Sequence, residues 1–239
     1  MPDREKRCTA IVLAAGSGRR MGSDIPKQFL ELGGKPLICH SLQAIERSGV
    51  IDDCILVTGK EDISYAESEI VRKFGLHKVK AVIAGGNERY ESVFRGLEAL
   101  ESREGYVFIH DGARPFLTEE ILLGTYEAVK EYGACVAAMP VKDTVKLADE
   151  DGFAVQTPNR SLVWAVQTPQ AFDAKLICRA YELLFERLDE LREEGIFVTD
   201  DAMVAEAMLG TRVKLVKASY KNIKITTPED MRTALGFLE

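Results

Sequence analysis

The sequence predicts an α/β protein: a mostly parallel, twisted sheet with helices on both faces and a protruding β-hairpin arm. Three observations lead there. Apolar runs alternate with amphipathic stretches four times in the first 140 or so residues, as strands joined by crossover helices do. The first run, Thr9-Ala-Ile-Val-Leu-Ala, is continuous and bounded by glycine, as a strand covered on both faces should be. The alternation then stops over residues 142–170, where period-two patterning takes over. Repeated strand–helix units of this kind make the class Rossmann-like.

Each element follows in order. Thr9-Ala-Ile-Val-Leu-Ala is an uninterrupted apolar run and reads as the first strand. Pro36 opens a helix with Ile38, Leu42 and Ile45 on one face and Gly49 just past its end. Cys54-Ile-Leu-Val-Thr is the second strand, residues 63–74 the second helix, and Val79-Lys-Ala-Val-Ile-Ala the third strand. A helix bearing Val93, Leu97 and Leu100 follows, then the strand Tyr106-Val-Phe-Ile-His, a helix over 119–132 and the strand Ala134-Cys-Val-Ala-Ala-Met. Thr144-Val-Lys-Leu and Phe153-Ala-Val flank the turn Asp151-Gly152, which predicts a hairpin. Pro158 and Pro169 punctuate what comes next. Helical pattern resumes over 174–192; Thr199 or Asp200 caps a helix over 202–209. Residues 212–217 and 223–226 read as short strands, and Pro228 starts a last helix. With no linker in sight, the reading is one domain over 1–239 with an inserted arm at about 142–170.

Composition narrows the function classes. Of 239 residues, 46% are hydrophobic and 29% charged, which suits a globular chain that buries its own core. A net charge of −7 argues against nucleic-acid binding, which needs a basic face, and no stretch reads as a membrane span. Cys8, Cys39, Cys54, Cys135 and Cys178 are widely spaced, odd in number and form no C-x-x-C pair. They read as buried thiols in a cytoplasmic protein without a leader.

The chemistry concentrates after the first strand, in Leu13-Ala-Ala-Gly-Ser-Gly-Arg-Arg-Met-Gly and on to Pro26-Lys27-Gln28. Loops there emerge at the carboxyl edge of the sheet, where α/β folds bind ligands. Gly16 and Gly18 let backbone N–H groups approach phosphate oxygens, while Arg19, Arg20 and Lys27 concentrate positive charge in an acidic chain. A solvated glycine turn would explain the loop but not that concentration. The spacing misses G-x-G-x-x-G by one residue, and G-x-x-x-x-G-K-[ST] is absent. The second strand ends in Thr58-Gly-Lys, where a nicotinamide oxidoreductase would present an acidic residue for the ribose. A triphosphate therefore fits the loop better than a dinucleotide bridge.

Asp111 follows the fourth strand and emerges at the same edge, suited to hold Mg²⁺ beside phosphates. The alternative is a local Asp111–Arg114 ion pair. Gly85-Gly-Asn-Glu-Arg-Tyr-Glu-Ser adds a third loop, whose Gly86 and Asn87 suit a flat base; Arg89 and Ser92 can equally serve only as helix-start residues.

Taken together, these motifs resemble a known family. Leu13-Ala-Ala-Gly-x-Gly-x-Arg-Met with Pro26-Lys27-Gln28 is similar to the signature of nucleotidyltransferases that activate sugar or alcohol phosphates. Gly85-Gly-x-x-Arg-x-x-Ser, His110-Asp-x-Ala-Arg-Pro, Asp143-Thr144, Trp164-x-x-x-Thr168-Pro-Gln, Thr199-Asp200 and Asn222-Ile-Lys resemble the 2-C-methyl-D-erythritol 4-phosphate cytidylyltransferase family, nearly end to end. The resemblance implies a fold like that of the nucleotide-diphospho-sugar transferases. It also implies transfer of CMP from CTP to methylerythritol phosphate in non-mevalonate isoprenoid biosynthesis.

Residue by residue, the resemblance assigns Arg20 and Lys27 to transition-state stabilisation. Ala14, Ala15, Gly16, Gly18, Gly86, Asn87, Ser92 and Gly112 match the CTP pocket, and Asp111 the Mg²⁺ position. Thr144, Arg160, Thr168, Thr199 and Lys224 match positions that hold the acceptor, Arg160 and Lys224 on its attacking phosphate. The family is a homodimer that exchanges β-arms, so Arg160 would serve the neighbouring subunit's site. Two positions depart from the family pattern: Asn87 stands where Asp is frequent, and Gly112 where Ala is. Rival readings are a cytidylyltransferase for another polyol phosphate such as ribitol 5-phosphate, a sugar-1-phosphate nucleotidyltransferase using UTP or dTTP, and a non-catalytic nucleotide-binding module.

Overall fold

A computed structural model describes residues 6–16 and 26–238. The chain opens with β1 (Cys8–Ala14) and, after a 3₁₀ turn at Lys27–Phe29, makes a small hairpin of β2 (Glu31–Leu32) and β3 (Lys35–Pro36). Next come α1 (Leu37–Arg47), β4 (Asp53–Thr58), α2 (Ile63–Tyr65), β5 (Val79–Ala84), α3 (Arg89–Glu98), β6 (Tyr106–Asp111), α4 (Glu119–Tyr132) and β7 (Ala134–Pro140). The arm carries β8 (Leu147–Ala148) and β9 (Ala154–Gln156), and β10 (Trp164–Asp173) returns to the sheet. The remainder is α5 (Ala174–Glu186), α6 (Leu188–Glu193), α7 (Asp201–Leu209), β11 (Lys214–Lys217) and α8 (Pro228–Gly236).

Seven strands form one sheet in the order β11-β7-β10-β6-β1-β4-β5. All pairings are parallel except those of β10, which runs against both β6 and β7. Alternation along each strand assigns its side chains to two cores. Ala10, Val12, Leu56 and Phe108 pack with Ile38, Leu42 and Ile45 of α1 and Ile121, Leu122 and Val129 of α4. Ile11, Val57, Ile109 and Phe172 pack on the opposite face with Val93 and Leu97 of α3, Ile177 and Tyr181 of α5, and Val204 of α7. Both faces are therefore closed by helices, and loops at the carboxyl edge remain to bind ligands.

Local chemistry sets the boundaries. The Thr118 hydroxyl accepts from the Ile121 amide to start α4, and Gly133, at φ +75°, ends it. Asp200, rather than Thr199, caps α7 by accepting from the Met203 amide. At α8, Pro228 sits in the first turn and Thr227 shares a capping box with Asp230.

Several elements differ from the sequence expectation. The second helix changes after α2 into a π-helical turn at Ala66–Arg72 that buries Ala66 and Ile70. Apolar spacing over so few residues does not distinguish a repeat of four from one of five. The helix expected over 174–192 breaks at Arg187, whose φ of −114° leaves the helical range, giving α5 and α6. Residues 223–226 form no strand, and β11 starts at Lys214 rather than at residue 212. The arm's ladder is shorter than its alternation suggests, with a register shift between Leu147 and Ala148. Finally, β10 is a ten-residue strand in the interior of the sheet, between β7 and β6. Proline normally argues against such a position because it cannot donate to the ladder. Here Pro169 falls within a register shift between Val166 and Gln170, where pairing to β7 lapses.

Candidate active site

Three strand ends build the rim. The Gly112 amide donates to the Leu13 carbonyl at 2.8 Å, and the Gly85 amide to that of Thr58 at 2.8 Å. Each loop is thus pinned to the neighbouring strand as it leaves the sheet. A Cβ on Gly85 would lie 2.5 Å from that of Ala15, so glycine is what lets the first and third loops close on each other. Gln28, almost fully buried, donates to the Ala14 carbonyl and anchors the turn that carries Lys27.

The result is a cavity of about 180 Å³ whose lining includes Ala14, Ala15, Gly16, Lys27, Gly86, Asn87, Ser92, Asp111 and Lys224. Beside it lies a cleft of about 260 Å³ lined by Thr168, Thr199, Asp200, Gln167, Gln170 and Arg114. Arg89, Asp111 and Lys224 line both. The two spaces meet at one carboxylate and two cations, and the sequence-predicted Lys27 and Asp111 both line the first of them.

Asp111 organises the junction. Its Oδ2 lies 2.8 Å from Lys224 Nζ and 3.9 Å from Arg114 Nε, and its Oδ1 lies 3.3 Å from Arg89 Nε. Burial alone would raise its pKa, but Arg89, Lys224 and Arg114 outweigh that and hold the carboxyl well below its usual range. Lys224 reaches this position because its neighbours are tied down. Asn222 donates to Gln167 Oε1 at 3.1 Å and to the Thr168 carbonyl at 2.8 Å, and the Ile225 amide donates to the Ala113 carbonyl at 2.8 Å.

Arg89, which the sequence left as an optional helix-start residue, bridges two acids. Its two terminal nitrogens meet Asp201 Oδ1 and Oδ2 at 2.8 Å each. Tyr181 donates to Asp201 Oδ1 at 2.6 Å. Gln170 Oε1 accepts from the Asp201 and Ala202 amides at 3.0 and 2.9 Å, and its Nε2 donates to Asp200 at 3.0 Å. The arginine in Gly85-Gly-x-x-Arg was legible, but its acidic partner lies 112 residues away.

His110, assigned no role from sequence, positions the second cleft. Its Nε2 lies 3.1 Å from the Arg114 carbonyl and its Nδ1 3.0 Å from the Thr168 hydroxyl. A carbonyl only accepts, so Nε2 carries the proton and Thr168 donates to Nδ1. The Thr168 oxygen in turn accepts from the Asp111 amide at 3.1 Å. Burial pushes the imidazole pKa down to about 4, which keeps the ring neutral.

Not every expected residue joins the rim. Gly18 and Arg20 lie outside the described residues. Gly112 is buried and lines neither space, its Cβ position 2.9 Å from the Leu13 carbonyl oxygen. Thr144 and Arg160 are exposed on the arm, and Arg160 donates to the Lys142 carbonyl at 2.9 Å rather than entering either space of its own chain.

A divalent cation has a restricted place here. No group of three or more His, Cys, Asp or Glu side chains suited to a metal occurs among the described residues. One carboxylate ringed by three cations does not hold Mg²⁺ by itself, since like charge surrounds it. The donor set fits Mg²⁺ that arrives on a triphosphate, where phosphate oxygens supply most of the coordination. No helix among the described residues is long and apolar enough to cross a membrane.

Comparison with known proteins gives a consistent picture. The family model described as IspD, 2-C-methyl-D-erythritol 4-phosphate cytidylyltransferase, matches residues 8–239. The protein of that name from Lachnospira eligens is 50% identical over 233 residues, covering 97% of this chain and 99% of that one. Its counterpart from Alkaliphilus metalliredigens is 44% identical, covering 97% and 93%. Among crystal structures, 4-diphosphocytidyl-2C-methyl-D-erythritol synthase from Anaerococcus prevotii matches with a TM-score of 0.82 at 38% identity, covering 98% of this chain and 96% of that one.

Proposed function

The chain belongs to the 2-C-methyl-D-erythritol 4-phosphate cytidylyltransferase family, and on that premise we propose how its rim transfers CMP from CTP to 2-C-methyl-D-erythritol 4-phosphate. The products are 4-diphosphocytidyl-2-C-methyl-D-erythritol and pyrophosphate. The observation that carries the residue assignment is the meeting of the Lys27 cavity and the Thr168 cleft at Asp111 and Lys224.

CTP occupies the first cavity, its base against Gly86, Asn87 and Ser92 and its phosphates towards Ala14, Ala15, Gly16 and Gly18. The acceptor lies in the second, held by Thr168 and Thr199, with Lys224 on its phosphate. An acceptor phosphate oxygen attacks the α-phosphorus in line and pyrophosphate leaves. Two anions must meet, so the barrier is chiefly repulsion and positioning. Lys27 and Arg20 offset charge growing on the α-phosphoryl oxygens. No general base is needed, because a phosphate monoester is already largely ionised near neutrality. This agrees with a His110 that stays neutral and holds Thr168. Asp111 would hold Mg²⁺ together with the triphosphate, and the ion would supply charge neutralisation to the leaving pyrophosphate.

The arm extends the proposal to a homodimer. Leu147, Phe153, Val155 and Leu162 expose 48, 72, 64 and 78% of their surface, an apolar display that a second copy would cover. In that assembly Arg160 and Thr144 complete the partner's acceptor site. We further read residues 1–239 as one nucleotidyltransferase domain. All five thiols are buried, and the reading keeps the protein in a reducing cytoplasm.

Phosphorus NMR of the protein with CTP, Mg²⁺ and methylerythritol phosphate tests this reading. Resonances of a diphosphate diester and of pyrophosphate should appear together. Equal product from ribitol 5-phosphate, or CMP in place of the diester, would overturn it.

A further inference from the structure

The Arg89–Asp201 pair is placed where stability does not explain it. Arg89 is the first residue of α3, where the positive end of the helix dipole opposes a cation. Asp201 has a fully buried side chain. Pairing two such charges away from water rarely gains more than apolar packing would. What the pair does achieve is geometric. One end of the guanidinium grips both oxygens of Asp201, and its hydrogen bond to Asp111 is then a single one, from Nε to Oδ1. Oδ2 of Asp111 is thereby kept on the side of Lys224 and Arg114, at the junction of the two spaces. Tyr181 and Gln170 fix Asp201 in turn, and Gln170 also holds Asp200 at the lip of the second cleft.

We propose that Asp201 is a positioning residue for the transfer. By clamping Arg89 it sets which oxygen of Asp111 faces the phosphates, and it ties the lip of the nucleotide cavity to the lip of the acceptor cleft. Without its charge, Arg89 turns its fork onto Asp111, occupies both oxygens and removes the carboxylate from service. The inference rests on the proposed function, in which Asp111 acts beside the triphosphate.

Asp201→Asn and Tyr181→Phe test it, each with the full chain, together with Asp111→Asn and the Asp201→Asn/Asp111→Asn pair. Three quantities are read: kcat/KM for product formation, the melting temperature, and calorimetric CTP affinity with and without Mg²⁺. Groups that orient a ligand from behind typically cost about 10–100-fold when removed, and that loss in kcat/KM is expected for Asp201→Asn. The gain in CTP affinity on adding Mg²⁺ should shrink alongside it. In the Asp111→Asn background the Asp201 change should cost nothing further, because the group it positions is gone. A folded Asp201→Asn protein within twofold of wild type overturns the proposal, as does a loss that multiplies that of Asp111→Asn. If Asp201→Asn does not fold, Tyr181→Phe decides. It removes one hydrogen bond to Asp201, worth about fivefold, and unchanged kcat/KM there also overturns the proposal. Wild-type protein that makes no product would instead refute the functional reading itself.

Discussion

Lys224 Nζ lies 2.8 Å from Asp111 Oδ2, so the cation assigned to the acceptor phosphate and the carboxylate assigned to the triphosphate are direct neighbours. In the proposed arrangement that contact would bring the two substrates' phosphates to one point. Lys224→Ala should raise KM for the acceptor about 10–100-fold, the usual weight of a hydrogen bond to a charged group. CTP affinity should change far less. Separate titrations of the two substrates check this, and an equal loss for both would assign Lys224 to the nucleotide instead.

Lys27 lines the cavity that Lys224 and Asp111 also line. Removing one donor aimed at developing charge typically costs ~10²–10³ in kcat. Lys27→Ala and Arg20→Ala are each expected to fall in that range, with circular dichroism unchanged. Near-normal kcat in both would reject their assignment.

Gly85 sits where a methyl group would come within 2.5 Å of Ala15 and 2.7 Å of the Ser92 hydroxyl. Gly85→Ala must push the third loop away from the first. Overpacking of this kind costs about 1–3 kcal/mol. The expected outcome is roughly tenfold weaker CTP binding in calorimetry, at little change in acceptor affinity.

Stability should depend on pH through His110. Burial lowers its folded pKa to about 4, whereas the unfolded chain takes up the proton near 6.5. Between those values the unfolded state binds more protons, so stability falls as pH falls. The contribution is about 2 kcal/mol between pH 7 and pH 5. His40, also lowered by burial, acts in the same direction. Urea denaturation at the two pH values should show a smaller difference in His110→Gln than in wild type; an identical difference would exclude His110 as the source.

The parallel body of the sheet was legible because each of its strands is a local apolar run whose helix covers it within a few dozen residues. β10 was not, since its pairing to β6 and β7 is decided by distant chain and its Pro169 reads as a breaker. The loops at the rim were legible for the same reason as the strands: Gly16, Gly86 and Asp111 directly follow the runs that deliver them. Arg89 gave a weaker signal. Its side chain is explained by Asp201, and nothing local to residue 89 announces a buried acid on α7. His110 likewise shows its purpose only through Thr168, a contact across 58 residues. Thr144 and Arg160 were legible from the family resemblance, while the place proposed for them beside an acceptor needs a second chain.

The most direct test of the shared rim is the rate of pyrophosphate release at saturating CTP, methylerythritol phosphate and Mg²⁺, compared among wild type, Lys27→Ala and Asp111→Asn. Wild type should release pyrophosphate only when both substrates are present, and each variant should be slower by about two orders of magnitude or more. Release that is independent of the acceptor, or undiminished in both variants, would contradict a single cationic junction where the two phosphates meet.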